Sequence, residues 1–128
     1  MRWLKLLLAI NGIILVFYAA SNTIAPTSYF LPADVPGYAI DVTRVLAVGY
    51  LALGLVQLGT WFVTDSDAVR LVAFGSLVFV AGFAILAVTN AKGSSDPFHE
   101  FGLAVGAANG VVAVLYALLL YREWSAPA

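Results

Sequence analysis

The chain has 128 residues, of which 62% are hydrophobic and 10% are charged, and its net charge is −1. Soluble domains are about 45–50% apolar and about 25% charged. This composition excludes a soluble enzyme, a disordered chain and a nucleic-acid-binding protein, and it indicates one membrane domain over residues 1–128. With no cysteine and a single histidine, thiolate metal sites and bis-histidine haem ligation are excluded. We therefore expect no metal site and no cofactor.

Long apolar segments predict how the chain crosses the membrane. A helical span needs about 20 apolar residues to cross about 30 Å of hydrocarbon, and backbone groups in the bilayer must be bonded within the segment. Four segments qualify, which predicts an all-α four-helix membrane bundle. The first follows Arg2 and Lys5 and so resembles a secretory signal, but we expect it to persist as a helix. The predicted helices cover about residues 3–20, 40–63, 68–89 and 99–121.

The connections between these helices differ in character. The first, from Ser21 to Ala39, contains three prolines and predicts a long non-helical segment near the lipid headgroups. A plain surface connection is favoured over a small lid. The second connection is short, and Asp65 and Asp67 within it suit the N-terminus of the third helix.

Basic residues near the helix ends predict the orientation. With four spans, both termini and the middle connection lie on one side, which has more basic residues than the other. We expect the protein in the cell (inner) membrane. The positive-inside rule then places both termini in the cytoplasm and the proline-rich connection on the outer side of that membrane. The first side holds Arg2, Lys5, Arg70 and Arg122, and the other holds Arg44 and Lys92.

Small residues recur along the fourth predicted helix. Gly102, Gly106 and Gly110 are four residues apart, so they lie on one helix face and allow a second helix to approach closely. Packing inside the bundle is the first interpretation of this stripe. A face between subunits is the second.

Four polar side chains lie within the predicted spans. Buried amides and hydroxyls in a membrane normally bond between helices, so interhelical bonding is the favoured role and a ligand or transport path is the alternative. No acidic or basic residue lies at the centre of a span, which weakens the case for a proton-coupled or cation-coupled carrier. The four residues are Asn11, Gln57, Ser76 and Asn109.

One polar cluster is predicted at the outer ends of the second and fourth helices. Asp41 and Arg44 are three residues apart and share a helix face, while His99 and Glu100 begin the fourth helix on the same side of the membrane. An ion pair that joins two helix ends is the simplest interpretation. A pocket for a lipid headgroup, a quinone ring or a small anion is the alternative, and acid–base catalysis by His99 and Glu100 ranks below both.

Short motifs along the chain give a family resemblance. Asp41-x-x-Arg44 is followed by GYLALG from Gly49, then by FGSLVF from Phe74 and an acidic residue at Glu100. This pattern resembles the small four-helix bacterial membrane proteins of the DoxX-like group and the uncharacterised families beside it. The resemblance implies a subunit of the kind associated with membrane quinone oxidoreduction, and it brings no catalytic motif.

These observations lead to three functional hypotheses. The first is an accessory or structural subunit, not catalytic on its own. Its expected partners are membrane lipids and other membrane subunits or a second copy of the chain, with no nucleic acid. The second is a lipid-binding or quinone-binding protein that uses the outer polar cluster, and the third is a small-solute transporter.

Overall fold

Four α-helices make up the part of the chain that the computed structural model describes. That part comprises residues 1–25, 37–92 and 98–126, without the side chains of residues 90–92 and 98–101. Within these ranges there is no β-strand, and all four helices are long and apolar enough to cross a membrane. The predicted all-α, four-helix fold is therefore confirmed, and the chain is a multi-pass membrane protein. The helices are α1 (Arg2–Ile24), α2 (Gly37–Gly59, extended by a 3-10 turn at Thr60–Phe62), α3 (Ser66–Lys92) and α4 (Phe98–Ser125).

Each helix is longer than its apolar segment. Helix α1 continues to Ile24, where Asn22 Nδ2 donates to the carbonyl of Tyr18 at 2.9 Å and Thr23 Oγ1 to that of Ala19 at 2.8 Å. Helical backbone therefore extends beyond the hydrocarbon, into the zone where polar side chains are tolerated. Residues 21–24 and 37–39, which were predicted to belong to the first loop, are therefore helical. The choice between a surface connection and a lid falls on residues 26–36, which lie outside the described residues.

Narrow buried stripes run along α1 and α3. The buried positions recur every three or four residues, which is the period of one helix face, and most other large apolar side chains are exposed, as expected of surfaces that face lipid. On α1 the buried residues are Leu4, Leu8, Asn11, Gly12, Leu15, Ala19 and Asn22, and on α3 they are Val69, Ala73, Ser76, Val80 and Ala84.

The chain divides into two compact units. One is Lys5–Thr64, which contains nearly all of α1 together with α2, and the other joins Met1–Leu4 to Asp65–Ala128, with α3 and α4. Each unit has a pair of helices that approach closely at glycine.

In Lys5–Thr64 the close approach involves one glycine from each helix. A Cβ on Gly12 would lie 2.8 Å from the carbonyl oxygen of Gly54, and a Cβ on Gly54 would lie 2.9 Å from the carbonyl oxygen of Gly12. Such distances are shorter than real Cβ contacts, so α1 and α2 meet backbone to backbone. Gly49 and Gly59, also on α2, have no atom within 4 Å of their Cβ positions.

In the other unit, α3 and α4 meet at Gly106. A Cβ there would lie 2.5 Å from Val88 Cγ2 and 3.3 Å from the carbonyl oxygen of Ala84. A Cβ on Gly110, one turn further along α4, would meet nothing within 4 Å. Of the predicted packing residues, Gly106 thus lies in the α3–α4 contact and Gly110 is open, while Gly102 is half-buried in the first turns of α4.

Candidate functional site

The predicted outer cluster is described only in part. Asp41 and Arg44 lie one turn apart near the start of α2, and both are exposed. No ion pair joins them to each other or to another side chain in the described ranges. The side chains of His99 and Glu100 lie outside the described residues. The cluster's role, as an ion pair or as a pocket, therefore stays a prediction.

A well-defined polar network lies instead at the start of α3 and the end of α4. The Arg70 guanidinium donates from Nη1 to Asp67 Oδ1 at 2.9 Å and from Nη2 to the backbone carbonyl of Glu123 at 2.8 Å. The Asp67 side chain is 85% exposed, whereas that of Arg70 is 24% exposed. Because exposed ion pairs contribute little, the bond to the Glu123 carbonyl is the stronger connection. Arg70 therefore links the first turn of α3 to the last turn of α4.

Glu123 adds a third segment to this network. Its carboxylate accepts a hydrogen bond from the Met1 amino group, and its side chain is 17% exposed. The beginning of α1, the first turn of α3 and the last turn of α4 thus meet within one unit. Cationic donors face a carboxylate and a carbonyl here, an arrangement that neutralises charge and holds helix ends together.

The start of α3 has the aspartate cap that the sequence predicts. Asp65 Oδ1 accepts the backbone amide of Asp67 at 2.9 Å and that of Ala68 at 3.4 Å. These amides have no acceptor within the helix, so a carboxylate at the N-cap both bonds them and complements the helix dipole. The predicted role of Asp65 is confirmed.

A second cation satisfies a carbonyl in the Lys5–Thr64 unit. Lys5 Nζ donates to the backbone carbonyl of Val63 at 2.6 Å, just after the 3-10 turn that ends α2. Carbonyls at the end of a helical segment lack internal donors, and basic side chains are a common solution. Lys5 and Arg70 thus each donate a hydrogen bond to a backbone carbonyl near the end of a helix, one in each unit. Neither interaction was predicted from the sequence, where both residues were counted for the orientation and Lys5 also for the resemblance to a secretory signal. The one available signal was the Asp67-x-x-Arg70 spacing at the start of α3.

The polar residues predicted inside the spans are mostly buried. Gln57 and Ser76 are fully buried, and Asn11 is 8% exposed. Ser76 Oγ donates to the carbonyl of Val72 at 2.8 Å, and half-buried Asn109 donates from Nδ2 to the carbonyl of Val105 at 2.9 Å. Both bonds lie within the residue's own helix, so interhelical bonding by these four residues stays a prediction.

Two of these residues lie near the α1–α2 crossing. Asn11 precedes Gly12 on α1, and the Cβ position of Gly12 is 3.2 Å from Gln57 Cβ. The buried Nδ2 of Asn11 has no hydrogen-bond acceptor among the described residues. Nearby, Thr60 Oγ1 donates to the carbonyl of Gln57 at 2.6 Å. Polar groups therefore accompany the glycine contact in this unit.

Two further findings bear on function. Among the described residues, no group of three or more His, Asp or Glu is placed to hold a metal ion. Comparison of the chain with protein-family models, with curated proteins and with solved structures returned no match.

Proposed function

We propose that this protein is an accessory or structural subunit of a bacterial membrane assembly, not catalytic on its own, and that it is of the DoxX-like type. The observation that supports this role most directly is the divided small-residue stripe of α4. Gly106 is in contact with α3, whereas a Cβ on Gly110 would meet nothing within 4 Å. Small residues on an exposed helix face allow a second helix to approach closely. The open part of the stripe therefore suits a neighbouring subunit or a second copy of the chain.

The polar networks support the same role. Arg70, Glu123 and Lys5 bond groups at helix ends, and Asp65 caps α3. These interactions stabilise the helix pairs by bonding charged side chains to groups at helix ends. A protein that works by association needs rigid helices with an accessible face, and these bonds supply the rigidity.

The proposal includes a location and an orientation. We place the protein in the cell (inner) membrane with both termini in the cytoplasm, because basic residues are more numerous on the side of the termini. In this orientation the network around Arg70 and Glu123 faces the cytoplasm. Asp41 and Arg44 face outward.

Paired glycine variants test the proposal. The tagged chain is expressed in its host, extracted in a mild detergent and examined by native mass spectrometry, and each variant is also unfolded by heat. The wild type is expected in a complex of defined stoichiometry, with copies of itself or with another membrane protein. Gly110→Leu is expected to release the monomer with an unchanged Tm, because no described atom lies within 4 Å of the Gly110 Cβ position.

Two controls separate association from folding. Gly75→Leu adds the same bulk to an exposed and open position on α3, and it should keep the complex. Gly106→Leu should lower the Tm, because its side chain would overlap Val88. A wild type that is only monomeric, or a Gly110→Leu variant that keeps the complex, would contradict the proposal.

The second candidate function is binding of a lipid headgroup or a quinone at the outer cluster. It is favoured by one observation: Asp41 and Arg44 are exposed and form no ion pair with a described residue. Arg44→Ala should then remove a small molecule that co-purifies with the wild type, as detected by native mass spectrometry. A wild type that carries no small molecule argues against this function.

A further inference from the structure

Basic and aromatic residues are the sequence neighbours of the two residues that join the start of α1 to the end of α4. Met1 contacts Glu123, so their neighbours are brought together although they lie at opposite ends of the chain. Arg2 and Trp3 follow Met1, while Arg122 and Trp124 flank Glu123. We refer to Arg2, Trp3, Arg122 and Trp124 as the basic–aromatic patch.

The two arginines of this patch have no acidic partner in the described part of the chain. Arg2 and Arg122 are exposed, and neither forms an ion pair with a described residue. The two acidic side chains of the adjoining network are already engaged, Glu123 by the Met1 amino group and Asp67 by Arg70. Within residues 1–25, 37–92 and 98–126, the patch therefore presents two guanidinium groups without an acidic partner, which suits an anion.

The indoles indicate where this anion lies relative to the membrane. Trp3 is 60% exposed and Trp124 is 58% exposed, and both are at the ends of membrane-spanning helices. Exposed tryptophan at such positions settles at the level of the lipid headgroups, with its ring against acyl chains and its N–H toward water. The guanidinium groups of Arg2 and Arg122 are thus expected at the depth of the lipid phosphates.

We propose that the basic–aromatic patch binds the phosphate of an anionic phospholipid. Guanidinium groups bond phosphate oxygens in a bidentate manner, and a lipid phosphate carries the matching charge at the matching depth. The acyl chains of the same lipid would cover the apolar faces of Trp3 and Trp124. This proposal does not involve Asp41 or Arg44, and it does not depend on the accessory-subunit role.

Lipid titration of the full-length chain tests this inference. The chain is held in a neutral detergent and titrated with phosphatidylglycerol or phosphatidylcholine of equal chain length, and bound lipid is counted by native mass spectrometry. Phosphatidylglycerol should bind more tightly, and less so as salt rises. An arginine near a charged lipid surface contributes a factor of about 5, so Arg2→Gln with Arg122→Gln should weaken binding about 30-fold.

A charge-matched control and a competitor sharpen the result. Lys92→Gln removes one positive charge from the last residue of α3, outside the patch, and it should leave phosphatidylglycerol binding unchanged. Each single variant, Arg2→Gln or Arg122→Gln, should weaken binding about fivefold, which keeps the test valid if the double variant does not fold. Millimolar inorganic phosphate should not displace the lipid. Equal binding of the two lipids, an equal loss with Lys92→Gln, or displacement by phosphate would overturn the inference.

Discussion

The backbone contact between Gly12 and Gly54 predicts that the addition of a single methyl group at either glycine forces α1 and α2 apart. In Gly12→Ala the new Cβ would lie 2.8 Å from the Gly54 carbonyl oxygen, 3.0 Å from Leu58 Cγ and 3.2 Å from Gln57 Cβ. The nearest atom belongs to the backbone, so a change of rotamer cannot relieve the overlap. The two helices must move apart, and the neighbouring contacts lengthen with them.

The expected cost follows from the size of this overlap. Overpacking of a close-packed contact typically costs about 1–3 kcal/mol. An alanine in place of glycine in a helix also gains about 1 kcal/mol of propensity, which partly hides the cost. Gly49→Ala on α2 isolates the gain, because its Cβ would meet nothing within 4 Å. The difference between the two variants should therefore be about 1–3 kcal/mol, with Gly12→Ala the less stable.

Unfolding in one detergent measures this difference. Each variant is denatured with sodium dodecyl sulfate and followed by far-ultraviolet circular dichroism, and the free energies of unfolding are compared. Gly54→Ala should resemble Gly12→Ala, and the double variant should lose less than the sum of the two, because helices that have already separated accommodate the second methyl. If Gly12→Ala and Gly49→Ala have the same free energy of unfolding, the reasoning is refuted.

Three further predictions concern polar side chains, and the same unfolding assay checks each of them. Arg70→Ala should cost about 1.5–3 kcal/mol, because it removes a charge-assisted bond to the Glu123 carbonyl; Arg70→Lys should restore part of the loss, and no loss would mean that the bond does not stabilise α3 and α4. Asp65→Ala should cost about 1 kcal/mol through the lost cap, and an Asp65→Asn variant as unstable as Asp65→Ala would contradict capping. Asn11→Leu should be neutral or stabilising, because it removes a buried donor that has no acceptor in the described structure, whereas Asn11→Asp should cost about 2.5–3.5 kcal/mol as a charge within a span. A clear loss of stability in Asn11→Leu would show that the amide has a partner.

Composition and local pattern were sufficient for the secondary structure. A bilayer requires helical bonding in every apolar segment of spanning length, so four such segments predict four helices whatever their packing. Asp65 was also predictable, because an N-cap bonds amides only two and three residues ahead. The ends of the helices were less predictable, since the helical backbone of α1 continues through residues 21–24, beyond its apolar segment.

The glycine contacts show why helix packing could not be predicted in the same way. A stripe within one helix can be recognised from its spacing, and this singled out Gly102, Gly106 and Gly110. Only the tertiary structure distinguishes Gly106, which meets α3, from Gly110, which is open. Gly12 has no small-residue pattern around it, and it matters because Gly54 of another helix lies opposite.

The sequence by itself determined that this protein crosses the membrane with four helices, because hydrogen bonding in lipid depends on each segment separately. The tertiary structure decided which polar groups meet. Arg70 and Glu123 are 53 residues apart in the chain, and Met1 and Glu123 are 122 apart. No local pattern relates such residues; their contact depends on which helix ends the fold brings together. The same contact joins the two chain segments that carry Arg2 and Trp3 and Arg122 and Trp124, and it is the basis on which we propose a lipid site there.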